Sequence, residues 1–346
     1  MKLLLSIFVC ITSILIYNRH LIFSSLYPAT LSNSTATTTT ITTTTSLAMS
    51  APSNPSSTAF AGLPVVPPED PSLQKSAEMS VPRAVRQAFL AVSQAEGAGA
   101  RVRRSIGTPK LRNFSPFLML DHFSISPGAG FPDHPHRGQE TITYLLSGAV
   151  DHEDFAGNKG TIETGDLQFM TAGRGIMHAE MPRQNADGSP NVGIQLWVDL
   201  PKKLKSCEPR YRDLRAAEIP TVDIDDGKVH IKVISGQSHG VDSVKELAYT
   251  PVWLLDINIK PGGKVQQPLP VGWNAFAYTL NGTATFGVGK DSKTVPQYHN
   301  VVFEQAGDSV VIEVEEGASE DARIVLIAGL PLDQKVSSLP ASPLLT

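Results

Sequence analysis

Thr141-Ile142-Thr143-Tyr144-Leu145-Leu146-Ser147-Gly148 reads as a β-strand running into a turn: β-branched and aromatic residues, closed by Ser-Gly. About 130–140 residues later the pattern returns as Ala275-Phe276-Ala277-Tyr278-Thr279-Leu280-Asn281-Gly282, with the same Tyr-x-Leu-x-Gly ending. A Pro-containing turn precedes each copy, from Pro132 and from Pro261. A Gly-Asp turn follows each, at Gly165-Asp166 and at Gly307-Asp308. The repeat implies two copies of one β-barrel, with a seam near Pro220 to Gly227.

The surrounding chain has the same texture from about Val81 onward. Short apolar runs such as Phe117 to Leu120, Val192 to Leu200, Val252 to Ile259 and Ile324 to Ala328 are cut by Gly, Pro and Asn. Short helices are expected only at Arg83 to Ala91 and Lys202 to Lys205, and nothing supports a parallel βαβ layout. With 27 Gly and 26 Pro in 346 residues, the fold class is all-β. The net charge of −4 comes from 29 basic and 33 acidic residues, so no global field draws the chain to nucleic acid. The basic clusters, Arg101-x-Arg103-Arg104 and Lys202-Lys203-x-Lys205, stand in an acidic setting, and direct nucleic-acid binding is not expected. Two cysteines, Cys10 and Cys207, support neither a disulfide scaffold nor a thiolate zinc site.

The first 68 residues hold no Asp or Glu and only Lys2 and Arg19 as bases. An apolar run from Leu3 to Tyr17 has the length of a signal-peptide core and falls short of a comfortable bilayer span. The Thr/Ser-rich tract that follows buries little apolar area and is expected to be disordered. Three readings stand for this leader: a secretory signal or anchor that meets a membrane, an organellar transit peptide that meets import machinery, or an extension upstream of a start at Met49 or Met79. The division implied is a leader over 1–78, a metal-binding barrel over 79–222, a barrel without a metal site over 223–334 and a tail over 335–346.

The chemistry concentrates in the first barrel. Five of the nine histidines, His122, His134, His136, His152 and His178, fall within 57 residues, with no nucleophile signature beside them. His134-Pro135-His136 puts two imidazoles on one face of a strand, and His178-Ala179-Glu180 does the same for an imidazole and a carboxylate. Either pair alone is ordinary on a strand. Facing one another inside a barrel, they bring three nitrogens and one oxygen to a point and leave coordination positions open. That donor set suits Fe(II), and Mn, Co, Ni or Cu are chemically admissible. The second copy has Gln266-Gln267-Pro268 at the matching place and no histidine pair.

The run Gly130-Phe131-Pro132-Asp133-His134-Pro135-His136-Arg137-Gly138, followed by Glu140 to Tyr144, resembles the signature of the pirins, which are bicupins. Phe117 to Asp121, His152 to Phe155, Gly165 to Gln168 and Met170-Thr171-Ala172-Gly173-Arg174-Gly175 extend the likeness over roughly Val81 to Gln334. The resemblance implies two tandem cupin barrels. It also implies one Fe(II) per chain, held by His134, His136, His178 and Glu180 in the N-terminal barrel. In many cupins the position of Glu140 supplies the carboxylate ligand, so Glu140 competes with Glu180. Glu180 is favoured, with Glu140 as a hydrogen-bond partner that fixes an imidazole.

Two roles follow from the resemblance. One is a quercetin 2,3-dioxygenase-type ring opening of a flavonol-like molecule by dioxygen, with Glu180 as catalytic base. The other is a nuclear co-regulator that binds transcription regulators according to its metal state. Phe131, Phe169, Met170 and Met177 are expected to wall the pocket, and Arg137 and Arg174 to stand at its mouth or meet a partner. The core is expected to be a monomer in nucleus or cytoplasm, unless the leader directs secretion or organelle import.

Overall fold

The computed structural model describes residues 80–244 and 247–336. The leader expected over 1–78 and the tail residues 337–346 lie outside the described residues.

No α-helix occurs among the described residues; twenty-four strands and three short 3-10 turns do. The first barrel is built on a seven-stranded sheet in the order Arg210–Leu214, Leu167–Thr171, Gln139–Ser147, Asn191–Asp199, Phe117–Ile125, Ala100–Ile106, Ser93–Glu96. The second uses the order Val85–Leu90, His299–Phe303, Asn274–Asn281, Ala322–Gly329, Val252–Ile259, Val229–Ser235, Thr221–Ile224. A four-stranded sheet completes each barrel. In the first its order is Phe131–His136, Ile176–Pro182, Ala149–Asp154, Lys159–Glu163. In the second it is Lys264–Pro268, Ser309–Glu313, Thr283–Phe286, Lys293–Pro296.

The two halves correspond strand for strand. Gln139–Ser147 and Asn274–Asn281 hold the same place, so the Tyr-x-Leu-x-Gly echo is structural. Gly148 and Gly282 end these strands at φ 90° and 67°, where a Cβ would collide with Asn191 and Asp321 respectively. The Gly-Asp echo is different. Gly165-Asp166 leads into Leu167–Thr171 of the large sheet, whereas Gly307-Asp308 leads into Ser309–Glu313 of the small one. Those turns are not equivalent and share only their turn chemistry.

The helix expected at Arg83 to Ala91 is a strand, Val85–Leu90, whose residues alternate half-buried and exposed. It pairs antiparallel with His299–Phe303, in the position that Arg210–Leu214 fills in the first barrel. Arg83 anchors the entry, its buried guanidinium donating to the carbonyls of Trp273 at 2.6 Å and Pro270 at 2.7 Å. Residues 80–90, at the head of the 79–222 segment, thus cover an otherwise open edge of the second barrel. At Lys202–Leu204 the expected helix is a single 3-10 turn.

Period-two alternation decides where each side chain goes. Ile142, Tyr144, Ile194 and Leu196 face Phe276, Tyr278, Val325 and Ile327, so the two large sheets share one apolar core. Val265, Phe286, Phe303, Ile312 and Leu326 fill the second barrel. Phe123, Leu145, Val150 and Ile162 pack one part of the first barrel, and Met170, Ala172 and Ile176 form a smaller apolar cluster in it. Each such side chain, fully buried, stabilises by roughly 1.5–3 kcal/mol. Polar links also cross between the barrels; in one, Tyr144 Oη donates to Asp256 at 2.7 Å, and Asp256 pairs with Arg323 at 2.7 Å.

Candidate metal centre

Strand Phe131–His136 pairs antiparallel with Ile176–Pro182, in a register that sets His178 opposite His134 and Ile176 opposite His136. A bulge follows His178 and brings Glu180 opposite Phe131. The i, i+2 spacing on both strands points all four side chains to one place. The ring centroids of His134, His136 and His178 are 4.9, 4.5 and 4.9 Å apart, and their ligating nitrogens all lie within 4.8 Å. Glu180 Oε2 is 3.9 Å from His134 Nε2 and 4.0 Å from His178 Nε2. The three imidazoles cluster, and Glu180 stands beside two of them.

The polar partners fix which nitrogens are free. His134 Nδ1 lies 2.9 Å from the Pro132 carbonyl, which can only accept, so Nδ1 carries the proton and Nε2 presents a lone pair. His136 Nδ1 lies 3.0 Å from Gln139 Nε2; with that amide turned to present its oxygen, Nδ1 carries the proton and the Nε2, buried without a partner, is left free. Burial pushes the His136 imidazole down to about 2, with His178 and His134 adding to the effect. Burial also lowers His178. The His136 and His178 imidazoles are therefore neutral at physiological pH, as metal ligands must be.

A divalent cation fits this set. His134 Nε2 and His178 Nε2 are 3.1 Å apart, close to the ~3.0 Å between ligands at right angles on bonds of ~2.1 Å. The otherwise orphaned His136 Nε2 would gain a partner.

Glu180 is held by residues that sequence reasoning did not select. Gln195 Nε2 donates to both carboxylate oxygens, at 3.1 and 3.0 Å, and Thr143 Oγ1 donates at 3.4 Å. Trp197 Nε1 in turn donates to Gln195 Oε1 at 2.8 Å, and its ring stands edge-on to His136 at 5.0 Å. Gln195-x-Trp197 interrupts the apolar run Val192 to Leu200 on alternate positions, and that interruption was the available signal.

Other expectations fall elsewhere. Glu140 fixes no imidazole: it accepts from Thr171 Oγ1 at 2.8 Å and from the backbone N–H groups of Tyr249 and Thr250 at 3.0–3.1 Å. It shares the outward parity of Ile142 and Tyr144 and secures the segment between the barrels. Phe169 belongs to the shared core rather than the pocket. Met170 packs with Ala172, Ile176 and Tyr211. Met177 is 41% exposed on the outer face, and Arg137 is exposed. Arg174 pairs with Glu208 at the surface. Phe131 does border the site, its ring 6.4 Å from His134.

Two of the five clustered histidines stand apart. His152 is buried against Asp213, at 3.4 Å, and stacks on Tyr211. His122 meets Tyr278 of the second barrel at 3.2 Å. In that barrel, Gln267 occupies the place of the histidine pair and bonds Ser238, at 2.7 Å, and neighbouring carbonyls.

Comparisons with known proteins agree with this picture. A family model described as Pirin matches residues 99–198, and one described as Pirin C-terminal cupin domain matches residues 254–339. A pirin-like protein of Solanum lycopersicum is 48% identical over 264 residues, covering 76% of this chain and 87% of that protein. Pirin of Homo sapiens is 45% identical over 259 residues, covering 75% and 86%. The crystal structure of a quercetin 2,3-dioxygenase from Acinetobacter baumannii superposes with a TM-score of 0.68 at 27% identity, over 75% of this chain and 91% of that one.

Proposed function

The chain belongs to the pirin family, and on that premise we propose that it is an Fe(II)-dependent dioxygenase that opens the ring of a flavonol-like substrate. The observation that carries the reading is the convergence of three imidazoles with the Glu180 carboxylate around the unpartnered His136 Nε2. Iron(II) held there would supply a Lewis acid and one-electron chemistry beside the substrate. His134, His136, His178 and Glu180 would hold it, one ion per chain.

Within this reading Glu180 takes the proton of the substrate hydroxyl that must ionise before the ring reacts. Gln195 and Thr143 keep the carboxylate aimed while it does so. His134, with its side chain 29% exposed, marks the side from which substrate arrives, and the Phe131 ring offers it an apolar flank. The test is turnover of quercetin by the iron-loaded protein under dioxygen. Carbon monoxide release with ring-opened product is expected, and Glu180→Gln, which removes both the base and a ligand, should lose it. Absence of carbon monoxide from fully iron-loaded protein would refute the enzymatic reading.

A second reading is a co-regulator that contacts transcription regulators according to its metal state. It is favoured by one observation: the ligand-bearing strand Phe131–His136 is the open edge of its sheet, so a change at the metal reaches the surface directly. Partner binding that depends on the metal, without turnover, would support it.

A further inference from the structure

The basic cluster Arg101-x-Arg103-Arg104 divides by strand face. Arg104 turns to one side, where Asp121, at 2.9 and 2.7 Å, and Glu96, at 2.8 Å, neutralise it. Arg101 and Arg103 turn to the other. Arg101 donates to Ser93 Oγ at 3.1 Å. Arg103 donates to the Ala91 carbonyl at 3.3 Å, and its guanidinium lies 3.9 Å from the centre of the Tyr298 ring. Neither has a carboxylate partner among the described residues.

Both line a cleft of about 440 Å³ between the two barrels. Its volume lies in the range of small-molecule sites. Among the described residues, no Asp or Glu lines it. A third arginine on the wall, Arg323, already pairs with Asp256. The neighbouring His122 reports the local field: burial, then Arg103 and Arg323, push its imidazole down to about 4. Leu146, Val192 and Leu280 give the cleft apolar walls.

We propose that this inter-barrel cleft binds a small aromatic carboxylate, with its charge on Arg101 and Arg103 and its ring against Leu146, Val192 and Leu280. The guanidinium fork matches a carboxylate in bidentate fashion, and the site is charged on one part and apolar on another. A bare inorganic anion would leave the apolar walls unused. The inference is independent of the metal centre.

The test is calorimetric titration of the full-length protein with 2-naphthoate, its neutral amide and inorganic phosphate. 2-Naphthoate is expected to bind the native protein and His136→Ala equally. Binding should weaken roughly ten-fold or more in Arg101→Gln, in Arg103→Gln and for the amide. Arg101 is exposed, so its variant remains informative if Arg103→Gln unfolds. Equal affinity in Arg101→Gln, loss in His136→Ala alone, no binding at millimolar 2-naphthoate, or phosphate binding as tightly as 2-naphthoate would each overturn the proposal.

Discussion

His134 and His178 are 44 residues apart in the chain, yet their Nε2 atoms lie 3.1 Å apart. His134 Nδ1 is committed to the Pro132 carbonyl, so a lone pair of His134 faces its neighbour across that gap. A cation placed against the pair should therefore stabilise the fold as well as fill the site. Free metal at a hundred times Kd is expected to add about 2.7 kcal/mol, read as a rise in Tm that a chelator reverses. His134→Ala should show little of the rise, and an equal rise in that variant would contradict the assignment.

Gln195 gives a sharper test, because its side chain bonds the carboxylate and no imidazole. Gln195→Ala leaves Glu180 with Thr143 as its remaining side-chain donor. Metal affinity, measured by competition with a chelator of known strength, is expected to fall roughly 10–100-fold. Unchanged affinity would mean that the Trp197–Gln195–Glu180 chain serves packing alone.

The pH dependence of stability should carry a contribution from His122. Its folded value, about 4, lies below the ordinary histidine value of 6.5. Between these values the unfolded chain binds the proton and the folded one does not. Stability is thus complete above about pH 6.5, declines as the pH falls toward 4 and levels off below that. With allowance for partial exposure, the loss is on the order of 1–2 kcal/mol. Urea unfolding of native protein and His122→Gln at pH 7 and pH 4.5 measures it; equal pH slopes in the two would contradict the claim.

The link between the barrels should respond unequally to its two ends. Tyr144→Phe removes one hydrogen bond to Asp256 but leaves Arg323 in place, and costs about 1 kcal/mol. Arg323→Met leaves the buried Asp256 carboxylate without its cation and is expected to cost about 3 kcal/mol. Chemical denaturation gives both values, and the reverse order would contradict the account.

The residues of the candidate metal centre were legible because a strand repeats every two residues: His134 with His136, and His178 with Glu180, share a face by that spacing. The position of Glu140 was not, because counting from His136 assumes one continuous strand. The chain breaks at Arg137-Gly138 and restarts at Gln139 in a different sheet, so parity is reset and Glu140 turns outward. Val85, Ala88 and Phe89 carry a helical spacing, yet the free edge beside His299–Phe303 draws the segment into a sheet. A partner far along the chain decided that element, and no local pattern could announce it.

The central claim is that Glu180, rather than Glu140, joins the three histidines in holding one metal ion. Metal content per chain should be measured on native protein, His136→Ala, Glu180→Gln and Glu140→Gln after loading with Fe(II) and removal of excess. The account predicts about one ion per chain for the native protein and Glu140→Gln, and a large loss for His136→Ala and Glu180→Gln. Loss of the ion in Glu140→Gln, with full retention in Glu180→Gln, would contradict it.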